Sequence, residues 1–188
     1  AGSGAEIYRC PLQITQARER LLQYYFPYHK MLKALVGRTY DKFGYAIILD
    51  FHSMPSKSAN GVHGAEGNII IGDAYGRSAK GDVVRNVARI FADMGYKVLR
   101  NTPYAGGFIT RHYGQPQKRI SAIQIEISRA IYMDEKTLKP NESFGKTRYD
   151  IMSFLEAFLP FARLQVVESA RFLSRARIGS RGVFFFER

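Results

Sequence analysis

Only one cysteine, Cys10, occurs among the 188 residues. No internal disulfide can therefore form, and no Cys cluster exists to hold a structural zinc. A reducing, cytoplasmic setting is the expectation. Long apolar runs are also missing, so nothing here is long enough to span a bilayer, and the first residues lack the basic-then-apolar layout of a signal peptide. There is no internal repeat and no linker of domain scale. No RNP-type aromatic motif, zinc finger or helix-turn-helix accompanies the basic residues, and a dedicated nucleic-acid role is not expected.

What is present is a balance of 46% hydrophobic and 23% charged residues, which is that of a globular protein with a real core. One domain spanning 1–188 is expected. The formal net charge of +12 is spread along the chain. It is densest in 163–188, where six Arg face two Glu and lead into Val183-Phe184-Phe185-Phe186, an aromatic cluster that must pack on something. Such a charge suits an anionic small molecule or an anionic surface as partner. The opening Ala1-Gly2-Ser3-Gly4 reads as a cut end.

The stretch around which the chain is organised is Tyr45-Ala46-Ile47-Ile48-Leu49-Asp50-Phe51-His52-Ser53-Met54-Pro55. An aliphatic run this short reads as a buried strand, covered by helices on both faces. Alternation along a strand puts Asp50 and His52 on one face at its C-terminal end, where open α/β sheets place ligands. A His beside a carboxylate there is a metal ligand with its supporting partner, half of an acid–base pair, or a strand-end His bonded to a loop.

Upstream, residues 14–38 have helical spacing, with Thr15 as N-cap and a kink expected at Pro27. Leu21, Leu22, Tyr25, Tyr28, Met31, Leu32 and Leu35 make one apolar face, and His29 reads as a surface or packing histidine. Downstream, Ser53–Gly67 is a loop carrying His63. Asn68–Asp73 is a second short strand, which would bring Asp73 to the rim of His52 if it ran parallel to the first. Residues 79–94 repeat Val83, Val84, Val87, Ile90, Phe91 and Met94 at helical spacing, and Gly95 closes the helix. Tyr96–Arg100 is the next strand, completing a βαβ unit.

Asn101-Thr102-Pro103-Tyr104-Ala105-Gly106-Gly107 then leaves a strand end. Its paired glycines allow close backbone approach to a ligand. Arg111 follows, either a bidentate clamp for a carboxylate or a surface arginine. From Ile120 to Ile127 the chain alternates, with Ile123, Ile125 and Ile127 on one face and Gln124 and Glu126 on the other. A Glu in an apolar strand is costly to bury unless it is functional or paired with a local Arg such as Arg129. Thr147–Arg175 reads as a helix with a kink at Pro160.

Several of these stretches together resemble the N-formylglutamate amidohydrolase family: Tyr25-Phe26-Pro27-Tyr28-His29, Asp50-Phe51-His52-Ser53-Met54-Pro55, Gly72-Asp73, Asn101-Thr102-Pro103-Tyr104-Ala105-Gly106-Gly107, Thr110-Arg111-His112-Tyr113-Gly114, and Gln124-Ile125-Glu126-Ile127-Ser128-Arg129-Ala130-Ile131-Tyr132-Met133. The similarity runs from about Ile7 to about Leu159 and leaves out the Arg- and Phe-rich end. It implies a three-layer αβα sandwich with a mostly parallel or mixed sheet, similar to the zinc carboxypeptidases. It also implies zinc-dependent hydrolysis of N-formyl-L-glutamate to formate and glutamate, the end of a histidine-degradation route. By that resemblance His52 is a zinc ligand, Glu126 the general acid–base, and Arg111 a holder of a substrate carboxylate. Asn101, Gly106 and Gly107 are expected to line the substrate, and strand geometry alone puts Asp50 behind His52. In the family the first zinc His and an acidic ligand lie in an N-terminal segment that this chain does not include. It is therefore expected to be N-terminally truncated, with Asp73, His63 or His112 as the internal candidates to complete a metal site. The competing expectation is a metal-free basic α/β module that binds anions or nucleic acid.

Overall fold

The computed structural model describes residues 8, 10–59 and 68–178, with backbone alone for 59 and 166–178. The chain divides into two compact units, residues 1–38 and 39–188. A single domain was the expectation from length.

In the first unit the helical spacing produces α1 (Ile14–Arg20), a π-helical turn (Leu21–Tyr25) and the start of α2 (Phe26–Phe43). The N-cap is Gln13 rather than Thr15, with a capping box completed by Gln16. Pro27 does not break the helix. The wide turn immediately ahead of it, in which the Phe26 N–H bonds to the Leu21 carbonyl, resets the hydrogen-bond ladder where a proline N–H would be lacking. None of these helical segments holds a buried residue, and Tyr24, Phe26, Tyr28 and Met31 are all exposed. The expected apolar face exists as a pattern without a core behind it. His29 packs its ring against Tyr25 and Tyr28.

The second unit is built on a four-stranded mixed sheet in the order β1-β4-β2-β3, where β1 is Ala46–Met54, β2 Ile69–Gly72, β3 Val98–Arg100 and β4 Ile120–Ser128, with a one-turn helix, α3 (Ser56–Ala59), after β1. β1 runs parallel to β4 and β2 parallel to β3, while β2 is antiparallel to β4. The βαβ unit is as the sequence implies, with α4 (Gly81–Asp93) between two parallel strands and Gly95 closing the helix at φ +87°. Two expectations change. β1 is an edge strand, half-buried and exposed from Phe51 to Ser53, because the fully buried centre is β4. And since β2 runs against β4, it also runs against β1, so Asp73 leaves the sheet away from His52.

β4 is central because its alternation serves two environments. Ile123, Ile125 and Ile127 pack with Ile69, Ile71, Val83, Val87 and Phe91 of one core. That core is closed by Phe154, which stacks on Phe91 with centroids 4.3 Å apart. Phe154 belongs to α6 (Phe144–Ile178), which starts earlier than expected and continues through Pro160 as one helix. Tyr45 donates its hydroxyl to the Ala162 carbonyl of the same helix. The opposite face of the sheet carries the polar residues of β1 and β4, with α5 (Phe108–Tyr113) burying Thr110 and Tyr113 against it.

One carboxylate ties these elements together. Asp73 is fully buried at the end of β2. It accepts from Asn101 Nδ2 at 2.6 Å, from Arg100 Nε at 3.2 Å and Nη2 at 2.5 Å, and from the Gly76 N–H at 3.1 Å. Its own N–H donates to Asn101 Oδ1 at 3.0 Å. Burial alone would push its pKa up, but the Arg100 and Asn101 hydrogen bonds outweigh that and hold it below the ordinary 3.8.

Asp73→Ala should cost about 3 kcal/mol at pH 7, since it removes a charged acceptor and strands the buried Asn101 amide. A depressed carboxylate pKa stabilises the fold above the unfolded-state value and loses that contribution as pH falls through the folded one. Urea unfolding should therefore show a large gap between wild type and variant at pH 7 that narrows below pH 3.8.

Candidate functional site

The strand register aligns His52 with Glu126 and Asp50 with Gln124, which places four polar side chains on one face of two adjacent strands. His52 Nε2 lies 3.0 Å from Asp50 Oδ2, and its Nδ1 lies 4.0 Å from Glu126 Oε1. The Nε2 edge of the ring thus faces Asp50 and the Nδ1 edge faces Glu126. This is the arrangement read from the D-x-H spacing. His52 is 45% exposed on its edge strand, whereas Glu126 is 6% exposed in the centre of the sheet.

Glu126 is held by Gln124, whose Nε2 donates to Oε1 at 2.8 Å, and the other oxygen, Oε2, is buried without a partner. Burial raises its pKa above the ordinary 4.5, and His52 and Gln124 offset only part of that. Asp50 adds to the rise, and Arg129 opposes it from a distance. The alternative of a Glu paired with a local arginine does not hold, because Arg129 Nε turns to Ser53 Oγ at 3.4 Å. The result is a carboxylate with one oxygen held by Gln124, the other without a partner, and a raised proton affinity, an arrangement that can take a proton from a water molecule.

Gln124 was seen in the sequence only as a polar neighbour of Glu126. Its second role was hidden, for its Oε1 accepts the Gly107 N–H at 2.7 Å and pins the 101–107 loop over the sheet. The close approach foreseen for the paired glycines is made to this protein's own backbone and side chains. A Cβ on Gly106, at φ +116°, would meet Thr110 at 2.7 Å, and one on Gly72 would meet the backbone of Ala105 and Gly106 at 2.7 Å.

Other expected members lie elsewhere. The Asn101 side chain is taken up by Asp73, and Asp73 by Arg100 and Asn101, so neither reaches the His52 group. His112 stacks on Phe108 with centroids 4.7 Å apart. Arg111 lines a separate cleft with Ala74, Arg77 and Ser78. His63 and the aromatic cluster at 183–186 fall outside the described residues. A cleft of about 350 Å³ also opens beside His52, but Ile127, Tyr132, Phe144 and Ile151 make it largely apolar.

As a metal centre the described residues are incomplete. A catalytic zinc takes three protein ligands and a water, and no group of three His, Cys, Asp or Glu among the described residues is placed to hold a metal ion. His52, half exposed and with Asp50 beside its Nε2, fits as one ligand.

The geometry can be set against known proteins. The N-formylglutamate amidohydrolase family model matches residues 1–133. The chain belongs to this family. Among its curated relatives, the N-formylglutamate deformylase of Pseudomonas aeruginosa is 31% identical over 146 residues, 76% of this chain and 55% of that protein. The deformylase of Pseudomonas putida is 34% identical over 122 residues, 64% of this chain and 46% of that one. The N-formylglutamate amidohydrolase of Ralstonia eutropha JMP134, a crystal structure, superposes with a TM-score of 0.74 at 28% identity, covering 95% of this chain and 60% of that one. The chain thus spans about half the length of the curated relatives that it matches, and the mixed α/β fold is the family's. No helix among the described residues is long and apolar enough to cross a membrane.

Glu126→Gln should leave the fold intact and raise its melting temperature at pH 7, measured with a chelator present. A raised carboxylate pKa means that the folded state binds the proton more tightly, so the ionised form is penalised as pH rises above the unfolded-state value. The gain should therefore vanish below pH 4.5, where the wild-type carboxyl is neutral as well.

Proposed function

We propose that this chain carries the proton-transfer half of an amidohydrolase active site that splits the formamide bond of N-formyl-L-glutamate, or a related N-acyl amino acid, into formate and the free amino acid. The observation that carries the reading is the Oε2 atom of Glu126, buried and unpartnered beside the His52–Asp50 pair. The relatives' names supply the substrate class.

In this reading Glu126 takes a proton from the attacking water through Oε2 while Gln124 holds Oε1. It then returns the proton to the leaving nitrogen as the carbon–nitrogen bond breaks. The raised proton affinity suits both halves of that cycle. Arg111 provides positive charge for a substrate carboxylate. Zinc is part of the proposal, with His52 as one ligand and the remaining ligands supplied from outside the described residues. The small-molecule partner is anionic, which the net charge of +12 favours.

The test is formate release from N-formyl-L-glutamate, run on this chain and on one extended to the length of the relatives, with zinc measured by elemental analysis in both. Formate release with near-stoichiometric zinc in the extended chain supports the reading, and Glu126→Gln there should lower kcat about 10²–10⁴-fold with zinc retained. Turnover that survives Glu126→Gln sinks the role of Glu126, and an extended chain with neither zinc nor formate release sinks the hydrolase reading.

A further inference from the structure

The cleft that opens beside His52 differs in character between floor and rim. Ile127 and Thr147 are buried and make the floor, while Phe144 and Met152 stand 44% and 54% exposed around the mouth. Two large apolar side chains held in water around a concavity are surface that an entering ligand would cover. Tyr132 and Phe144 set their rings edge to face, with centroids 6.4 Å apart, and give one wall an aromatic surface. The space of about 350 Å³ is that of a small-molecule site. An apolar cavity of about 150 Å³ is enough for benzene.

The polar groups of the lining are already engaged. Thr147 donates its hydroxyl to the Ser143 carbonyl at 3.1 Å, and Ser53 Oγ accepts from Arg129 Nε at 3.4 Å. Arg148 is exposed, so its charge belongs to the rim and not to the floor. A carboxylate carried to the floor would lose its water without gaining a donor, a cost that an apolar group does not meet.

His52 belongs to two places at once. It lines this cleft, and its Nδ1 lies 4.0 Å from Glu126 Oε1. Ser53 and Ile127, the next register pair along the same two strands, continue the lining. Because β1 is an edge strand and His52 is 45% exposed, a ligand can lie across the open side of the ring, one end towards Glu126 and the other in the cleft.

We infer that this cleft is the subsite for the side chain of the substrate's amino-acid part and selects an apolar or aromatic one, so that the ligands of this chain are N-formyl amino acids such as N-formyl-L-phenylalanine. The inference rests on the amidohydrolase reading for the position of the reacting bond. The curated relatives are named for the glutamate derivative, whose side chain is acidic. The cleft suits a different one.

The experiment is calorimetric binding of N-formyl-L-phenylalanine and N-formyl-L-glutamate to the 188-residue chain. Histidine ring NMR signals are followed in the same titrations, His52 being the signal missing from His52→Asn, and formate release by the extended chain is measured in parallel. The proteins compared are wild type, Met152→Glu, Phe144→Ala and Leu159→Glu, the last altering a residue of α6 that is 50% exposed outside the cleft. Wild type should bind the phenylalanine ligand about 10- to 100-fold more tightly and shift the His52 signal on binding. Met152→Glu and Phe144→Ala should each remove most of that preference, and Leu159→Glu should leave it unchanged. A wild type without the preference, a preference that survives both cleft variants or is lost equally in Leu159→Glu, or binding that leaves the His52 signal in place overturns the inference, even where formate is released from N-formyl-L-glutamate. A preference lost in the cleft variants alone, with His52 shifted and no formate released from either ligand, upholds the apolar subsite and rejects the hydrolase reading.

Discussion

The buried carboxylate of Asp73 is the constraint from which the rest of the second unit hangs. It binds the ends of two parallel strands to each other through Arg100 and Asn101, and it forces the chain that follows into a left-handed turn. Through Asn101 it also fixes the start of the 101–107 loop. That loop lands on Gln124 by way of the Gly107 N–H, and Gln124 holds Glu126. A chain of hydrogen bonds therefore leads from a residue with no part in the chemistry to the one proposed to move the proton. Such networks pay off only when every member is satisfied. Here the sole unsatisfied atom along the path is Glu126 Oε2, at its far end.

The proposed base and the proposed metal ligand sit in different mechanical settings. Glu126 is carried by β4, which is flanked on both sides and sealed by isoleucines on its other face. His52 is carried by an edge strand and half open to solvent. A desolvated carboxylate gains proton affinity, and an imidazole at an exposed edge stays accessible to an incoming partner. The difference between the two strands is thus a chemical difference between their side chains.

Much of this was legible in the residues, and the misses have physical causes. Alternation placed Asp50 with His52 and Gln124 with Glu126, because period two is a local property of any strand. The βαβ unit and the end of α4 at Gly95 followed from apolar spacing and a single turn residue. Strand order and direction are not local. Ile69–Gly72 reads the same whether it runs with β1 or against it, so the placement of Asp73 could only come from the register. The edge position of β1 was hidden for a similar reason, its aliphatic run being as apolar as that of a central strand. An apolar face at 14–38 was read from periodicity, yet periodicity shows a face and not what covers it.

The division of the site between a core strand and an edge strand also bears on how such a protein can change over generations. Substitutions around Glu126 disturb the packing of the whole sheet, so drift there is purged for reasons of folding before chemistry is ever tested. Substitutions around His52 meet solvent on one side and leave the sheet standing. New ligand-binding behaviour is therefore most accessible along the β1 margin, while the surroundings of Glu126, the proposed base, are held by the packing of the sheet.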